Sequence, residues 1–134
     1  MEHRLTRELR SRRNVRNITS HSINLRSSAG YRIAATLYVP EGDGPWPAVV
    51  LCPGSDHSSE VFRTRKAPIT AEEVGQLGCI VLTYDPAGRG LSWGAEDFGG
   101  SEHQDNAAIA INHLRTLKNV DPSRVGLVGI SLGI

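Results

Sequence analysis

The chain has 134 residues, 39% of them apolar and 22% charged, with a net charge of +1 at pH 7. That length suits one domain with a real core and is short for two, and the composition excludes a disordered chain. A balance so near neutral gives no reason to expect a nucleic-acid partner, and no run approaches the roughly 18–20 apolar residues that span a bilayer.

Residues 1–14 form a basic, solvated N-terminus; with Arg16 the opening stretch carries six arginines against Glu2 and Glu8. Nothing near Met1 has the apolar core of a signal peptide. Residues 15–27 alternate apolar and polar positions as a half-exposed strand does, Ser28-Ala29-Gly30 makes a turn, and 31–39 form a second strand, so the chain opens on an antiparallel hairpin. Pro40 to Pro47 is a loop. Ala48 to Cys52 is apolar without alternation, the mark of a parallel strand buried on both faces.

Residues 53–69 read as a long polar connection. Thr70 with Glu73 forms a capping box that opens a helix, with Val74 and Leu77 facing inward and Gly78 as its left-handed cap. Residues 79–84 are a second apolar strand, followed by a glycine-rich loop over 86–100. Ser101 with Gln104 suggests another capping box, and Ala107, Ile111 and Leu114 place an amphipathic helix at 102–117. Asp121-Pro122 then turns the chain into a third buried strand, 124–130. Alternating strands and helices imply right-handed crossovers and a parallel sheet with helices on its faces. Cys52 and Cys79 lie in separate apolar runs, and free thiols there suit a reducing compartment; the cytoplasm is the expected location. Two cysteines without nearby histidines do not make a zinc site.

The last strand runs straight into Gly129-Ile130-Ser131-Leu132-Gly133, a G-x-S-x-G pattern. In a nucleophile elbow of this kind the serine sits on a strained strand-to-helix turn, and the flanking glycines, Gly129 and Gly133, avoid collisions with neighbouring backbone. A serine hydroxyl needs a base to take its proton and a third group to orient that base, and in the fold that uses this elbow both follow the serine. Only Leu132, Gly133 and Ile134 follow Ser131 here. His57, His103 and Asp105 all precede it, and surface or solvated roles fit their positions better than that of a catalytic base.

The hairpin, P-A-V-V-L-C-P-G-S-D, C-I-V-L-T-Y-D-P-A-G-R-G-L-S and D-P-S-R-V-G-L-V-G-I-S-L-G, taken in that order, resemble the α/β-hydrolase superfamily. Within it the chain is most similar to dienelactone-hydrolase-like and prolyl-oligopeptidase-like serine hydrolases. It departs from true dienelactone hydrolases, which use a cysteine where this chain has Ser131. The likeness runs from about Ile18 to Gly133 and covers the N-terminal half of such a fold, so 15–134 is expected to be an incomplete α/β-hydrolase domain, truncated after the elbow.

The resemblance implies that Ser131 attacks a carboxylic ester, thioester or peptide carbonyl, with a small-molecule ester or peptide-like substrate and no cofactor or metal. It places the oxyanion hole at the backbone N–H groups of Leu132 and of Ser55, with Asp56 the alternative, and makes Asp85, Gly88, Gly90 and Ser92 a structural loop behind the pocket. Ala87 replaces the arginine usual in that loop, and Pro53-Gly54 replaces the usual His-Gly.

On this reading the 134 residues alone are expected to be poorly soluble and catalytically silent, with Val125, Leu127, Val128 and Ile130 as an exposed apolar edge. A non-catalytic α/β-hydrolase relative retained for binding or assembly is the other reading. A nucleotide-binding doubly wound domain is disfavoured, because residues 52–60 supply no G-x-G-x-x-G turn.

Overall fold

A computed structural model describes residues 16–130, so the basic stretch 1–14, Ser131, Leu132 and Gly133 lie outside the described residues. Strand β1 (Ile18–Arg26) pairs antiparallel with β2 (Arg32–Pro40) in unbroken register, from Ile18 opposite Pro40 to Arg26 opposite Arg32. The expected hairpin therefore forms, closed by Gly30 N–H donating to Ser27 O at 2.9 Å. β1 is mostly exposed, as its alternation implies. Strands β3 (Trp46–Cys52), β4 (Ile80–Tyr84) and β5 (Val120–Gly129) run parallel to one another, and β2 joins them by pairing antiparallel with β4. The resulting order is β1-β2-β4-β3-β5.

Helix α1 (Ala71–Gln76) and helix α2 (Ser101–Arg115) each lie between two parallel strands in sequence and cover opposite faces of the sheet. On the α2 side Ile33, Val50, Ile80, Leu82, Ala110 and Leu114 form one core cluster; on the α1 side Leu51, Val61, Phe62, Ala71 and Val81 form the second. The two faces of β3 and β4 are thus both buried, which explains their unbroken apolar runs.

The capping box at Thr70 is complete: Thr70 N–H donates to Glu73 Oε1 at 2.9 Å and Glu73 N–H to Thr70 Oγ1 at 3.2 Å. Gly78 follows with φ +91°, the left-handed conformation expected of it.

Four expectations are corrected. Leu77 does not face inward; it is 82% exposed, because the helix has already ended at Gln76 and Ala71 and Gly75 are its buried residues. Ser101 is not a cap for α2: the N-cap is Gly100, and the carboxylate of Asp97 accepts the N–H groups of Gly100, Glu102 and His103 instead. Residues 59–62, assigned to a loop, form a 3-10 helix that delivers Val61 and Phe62 to the core. Finally, β5 is not buried on both faces. Leu127 and Val128 are 43% and 40% exposed, since among the described residues β5 is the sheet edge. It begins at Val120 rather than 124, with residues 121–124 bulged out between the Trp46 and Ala48 pairings, which accommodates Pro122.

Cys52 and Cys79 are free and only partly buried. Desolvation pushes both thiols above their usual range.

Candidate active site

The three parallel strands end side by side at Cys52, Tyr84 and Gly129. In an open α/β sheet the crevice beyond such carboxyl ends is where ligands bind. Here it holds a cleft of about 330 Å³, lined among others by Gly54, Ser55, Tyr84, Phe98, His103 and Gly129.

Residues 54–57 form a tight turn, with His57 N–H donating to Gly54 O at 3.2 Å and Asp56 in the left-handed region at φ +61°. Ser55 is exposed at its tip, and among the described residues neither its N–H nor that of Asp56 meets an acceptor. A free amide beside a cleft is what an oxyanion donor requires.

Tyr84 forms part of the wall. Its hydroxyl donates to Cys52 Sγ at 3.4 Å, and burial drives the phenol far above its ordinary pKa, so it stays neutral.

Behind the turn, Asp85 is 6% exposed. Its Oδ1 accepts the N–H of Ser59 at 2.9 Å and the Oγ–H of Ser59 at 2.8 Å, and its Oδ2 accepts Leu91 N–H at 2.9 Å. Ser92 donates to Asp85 O and accepts Ala34 N–H. The Asp85–Ser92 stretch is therefore a scaffold, as expected.

Arg89, in the middle of that stretch, reaches both sides of the site. Nε and Nη2 donate to Glu96 at 2.6 and 3.2 Å, while Nη1 donates to Gly54 O and His57 O, both at 3.1 Å. Glu96 also accepts Phe98 N–H at 3.0 Å, and the hydrogen bonds from Arg89 are the main cause holding its carboxyl below the usual range.

His103 is a wall residue and not a surface one, its side chain being 10% exposed. Nδ1 accepts Gly99 N–H at 3.0 Å, so the proton sits on Nε2, which lies 3.0 Å from both Ala87 O and Glu96 Oε2. With both nitrogens engaged it has no lone pair to serve as a base. His57 does not line the cleft, and Asp105 is spent on the N–H and hydroxyl of Ser28.

Glu96, Asp97 and His103 bring ligand-type atoms within 4.8 Å of one another. Each has a structural partner: Arg89 for Glu96, the first turn of α2 for Asp97, and Gly99 for His103. That set reads as a bracing network.

Gly129 and Ile130 line the cleft, and Ile130 N–H donates to Cys52 O at 3.0 Å, fixing the strand end immediately before Ser131. A Cβ at Gly129 meets nothing within 4 Å among the described residues, so any steric need for this glycine involves neighbours beyond them.

Residues 29–133 match the family model of the X-Pro dipeptidyl-peptidase (S15) family. The chain belongs to that family. It is thereby a member of the α/β-hydrolase superfamily, whose N-terminal half its sheet reproduces.

Among curated proteins this S15-family chain is 31% identical over 106 residues to Esterase FrsA of Klebsiella pneumoniae, a match covering 78% of the chain and 24% of the esterase. Among solved structures, a hypothetical protein of Pseudomonas aeruginosa superposes with a TM-score of 0.70 at 23% identity, covering 84% of this chain and 35% of that one. The α/β hydrolase GrgF of Penicillium sp. sh18 superposes at 0.68 with 20% identity, covering 83% and 37%. The chain thus spans about a quarter of the curated relative and a little over a third of the solved chains.

Arg89, Phe98 and Tyr84 are site residues that the sequence motifs do not name, and His103, expected at the surface, forms part of the cleft wall. For Arg89 a signal existed in its place between Gly88 and Gly90, inside the one motif whose function is to shape the pocket. Phe98 left none; it sits in a glycine-rich loop with φ +50° and is 75% exposed at the cleft.

Proposed function

We propose that this chain carries the nucleophile and the oxyanion loop of a serine hydrolase acting on carboxylic esters, with thioesters or peptide bonds as related substrates. The supporting observation is that Gly129-Ile130, one peptide bond before Ser131, share a cleft with the unpaired amide of Ser55. Similarity to an esterase supports the same chemistry.

In this mechanism Ser131 Oγ attacks the substrate carbonyl carbon as a base removes its proton. The carbonyl oxygen becomes an oxyanion held by the N–H groups of Ser55 and Leu132. The tetrahedral intermediate collapses, the protonated base returns its proton to the leaving alcohol, thiol or amine, and an acyl-enzyme on Ser131 remains. Water then attacks the acyl carbon through the same steps and frees the serine. In this fold the triad acid and histidine follow the nucleophile in chain order. Among the described residues neither His103 nor His57 replaces them: both ring nitrogens of His103 are engaged, and His57 does not line the cleft.

Residues 15–134 are, on this reading, part of a single hydrolase domain, and the substrate is a small molecule. Among the described residues no helix is long and apolar enough to cross a membrane, and the free thiols favour a cytoplasmic setting.

The test is hydrolysis of p-nitrophenyl butyrate by the full-length protein, with fluorophosphonate labelling of its nucleophile. Ser131→Ala is expected to abolish labelling and to lower kcat by about 10⁶-fold. Full activity in that variant sinks the mechanism. A wild type that neither labels nor hydrolyses, yet binds ligand in the cleft, would favour the non-catalytic binding role.

A further inference from the structure

We propose that Arg89 is the positioning residue of the oxyanion loop, an inference that rests on the serine-hydrolase reading above. The guanidinium is a three-sided connector. Nε and Nη2 grip the two oxygens of Glu96, and Nη1 is left to hold the carbonyls at both ends of the turn, Gly54 and His57, each at 3.1 Å.

The consequence for the amide follows from peptide geometry. Gly54 C=O and Ser55 N–H belong to one planar, trans peptide unit and point in opposite directions. Fixing the carbonyl therefore fixes the direction of the N–H that the turn leaves free. Among the described residues the Ser55–Asp56 peptide has no such restraint on its carbonyl, so the arrangement selects Ser55 over Asp56 as the donor.

Among the described residues the loop has little else to hold it. It lies beyond the end of β3, Ser55 and Asp56 are exposed, and Asp56 occupies a left-handed conformation that an unrestrained aspartate seldom keeps. One short turn bond, His57 N–H to Gly54 O, closes it. The Arg89 side chain is 10% exposed, so water competes weakly for its bonds.

Glu96 is itself anchored by Phe98 N–H and by His103 Nε2 at 3.0 Å, and His103 projects from α2. The chain of contacts thus carries the rigidity of α2 through His103, Glu96 and Arg89 to the turn. Lysine cannot substitute: an ammonium has no planar fork with which to hold a carboxylate and two carbonyls at once. Arg89 meets no reacting atom in this scheme and acts only through the Ser55 N–H.

The experiment compares Arg89→Gln, Arg89→Lys and Glu96→Gln with wild type and Ser131→Ala in the full-length protein, on p-nitrophenyl butyrate. Loss of a whole oxyanion donor costs about 10²–10³ in kcat, so loosening one should cost Arg89→Gln about 10–100-fold in kcat with KM within about threefold. Arg89→Lys should recover little. Affinity for a trifluoromethyl ketone, whose hemiketal oxyanion needs the donor, should fall in step with kcat/KM. In the same variant the Ser55 amide order parameter should drop from about 0.85 toward 0.6.

A folded Arg89→Gln enzyme with unchanged kcat, or with its loss confined to KM, overturns the proposal. If Arg89→Gln does not fold, Glu96→Gln carries the test. It should show the same kcat-specific loss and weaker ketone binding at about 3–10-fold, and wild-type values there overturn the proposal equally. Activity lost in Ser131→Ala but kept in the arginine variants refutes the role of Arg89 alone. Activity kept in Ser131→Ala refutes the serine reading and this inference with it.

Discussion

The carboxylate of Asp85 occupies the space that a side chain at Gly90 would need. A Cβ built at Gly90 falls within bonding-forbidden contact of Asp85 Oδ2, and the backbone there has φ +51°. Asp85 cannot retreat, because Ser59 and Leu91 hold both its oxygens. The glycine is therefore required twice, by conformation and by volume. Left-handed strain of about 1–2 kcal/mol and overpacking of about 1–3 kcal/mol lead us to expect that Gly90→Ala destabilises the protein by about 3 kcal/mol. In a urea titration the midpoint should fall with the m-value unchanged. A shift worth under about 1 kcal/mol would mean the loop can rearrange around Asp85.

Phe62 is 1% exposed and sits among Tyr38, Leu51, Val61, Ala71 and Val81. Truncation leaves a cavity that the 3-10 helix is too short to fill by collapsing. Phe62→Ala should cost about 3–5 kcal/mol, measured as above, and Phe62→Leu clearly less. If the two variants unfolded alike, packing at this site would not be what Phe62 contributes.

That residue also marks where the sequence stops being readable. The buried runs at 48–52 and 80–84 declare themselves because both faces of β3 and β4 are covered, which forces unbroken apolarity. The segment S-S-E-V-F-R-T has two apolar residues in a row and no period, so nothing local distinguishes Phe62 from a loop residue; only the space left between α1 and the sheet does.

The helix cap shows the same divide. Thr70 and Glu73 satisfy each other within four residues and are legible. Asp97 caps α2 from the preceding loop, around a bend made by Gly99 and Gly100 that spacing does not reveal. At the site, the Gly54–His57 turn stands after β3 where sequence order puts it, while Ser131 and its elbow lie outside the described residues. The Glu96–Arg89–Gly54 connection joins segments more than thirty residues apart and needs the fold to exist.

The Thr70 cap is open to direct measurement. Its hydroxyl accepts Glu73 N–H, and its own N–H reaches the Glu73 carboxylate, which that bond and Arg65 hold below the usual range. Thr70→Ala should lower unfolding free energy by about 1 kcal/mol, and Thr70→Ser should retain most of it. Because α1 has six residues, loss of the cap should also raise amide exchange at Glu72 and Glu73 before the rest of the chain. Equal exchange in the alanine variant would show that tertiary packing alone holds the helix end.

Glu96 supplies a pH signature. Its carboxyl lies below the ordinary value of 4.5 in the folded protein, first through the hydrogen bonds from Arg89 and then through Phe98 N–H and the charge of Arg89. A carboxylate with a depressed folded pKa binds its proton more readily in the unfolded chain. Its stabilisation is therefore complete above about pH 4.5 and disappears as pH falls through the lower folded value. The groups facing it are the Arg89 guanidinium, His103 Nε2, and Asp97 across the His103 ring. Glu96→Gln keeps the shape but replaces a charged acceptor with a neutral one. It should cost about 2 kcal/mol at pH 7. The deficit should shrink as pH falls below about 4.5, where the unfolded chain takes up the proton first. Urea midpoints for both proteins at half-unit intervals from pH 7 to pH 3 would show the two curves converging on the acid side. Parallel curves over that range would mean that Glu96 contributes through packing and not through its charge on Arg89.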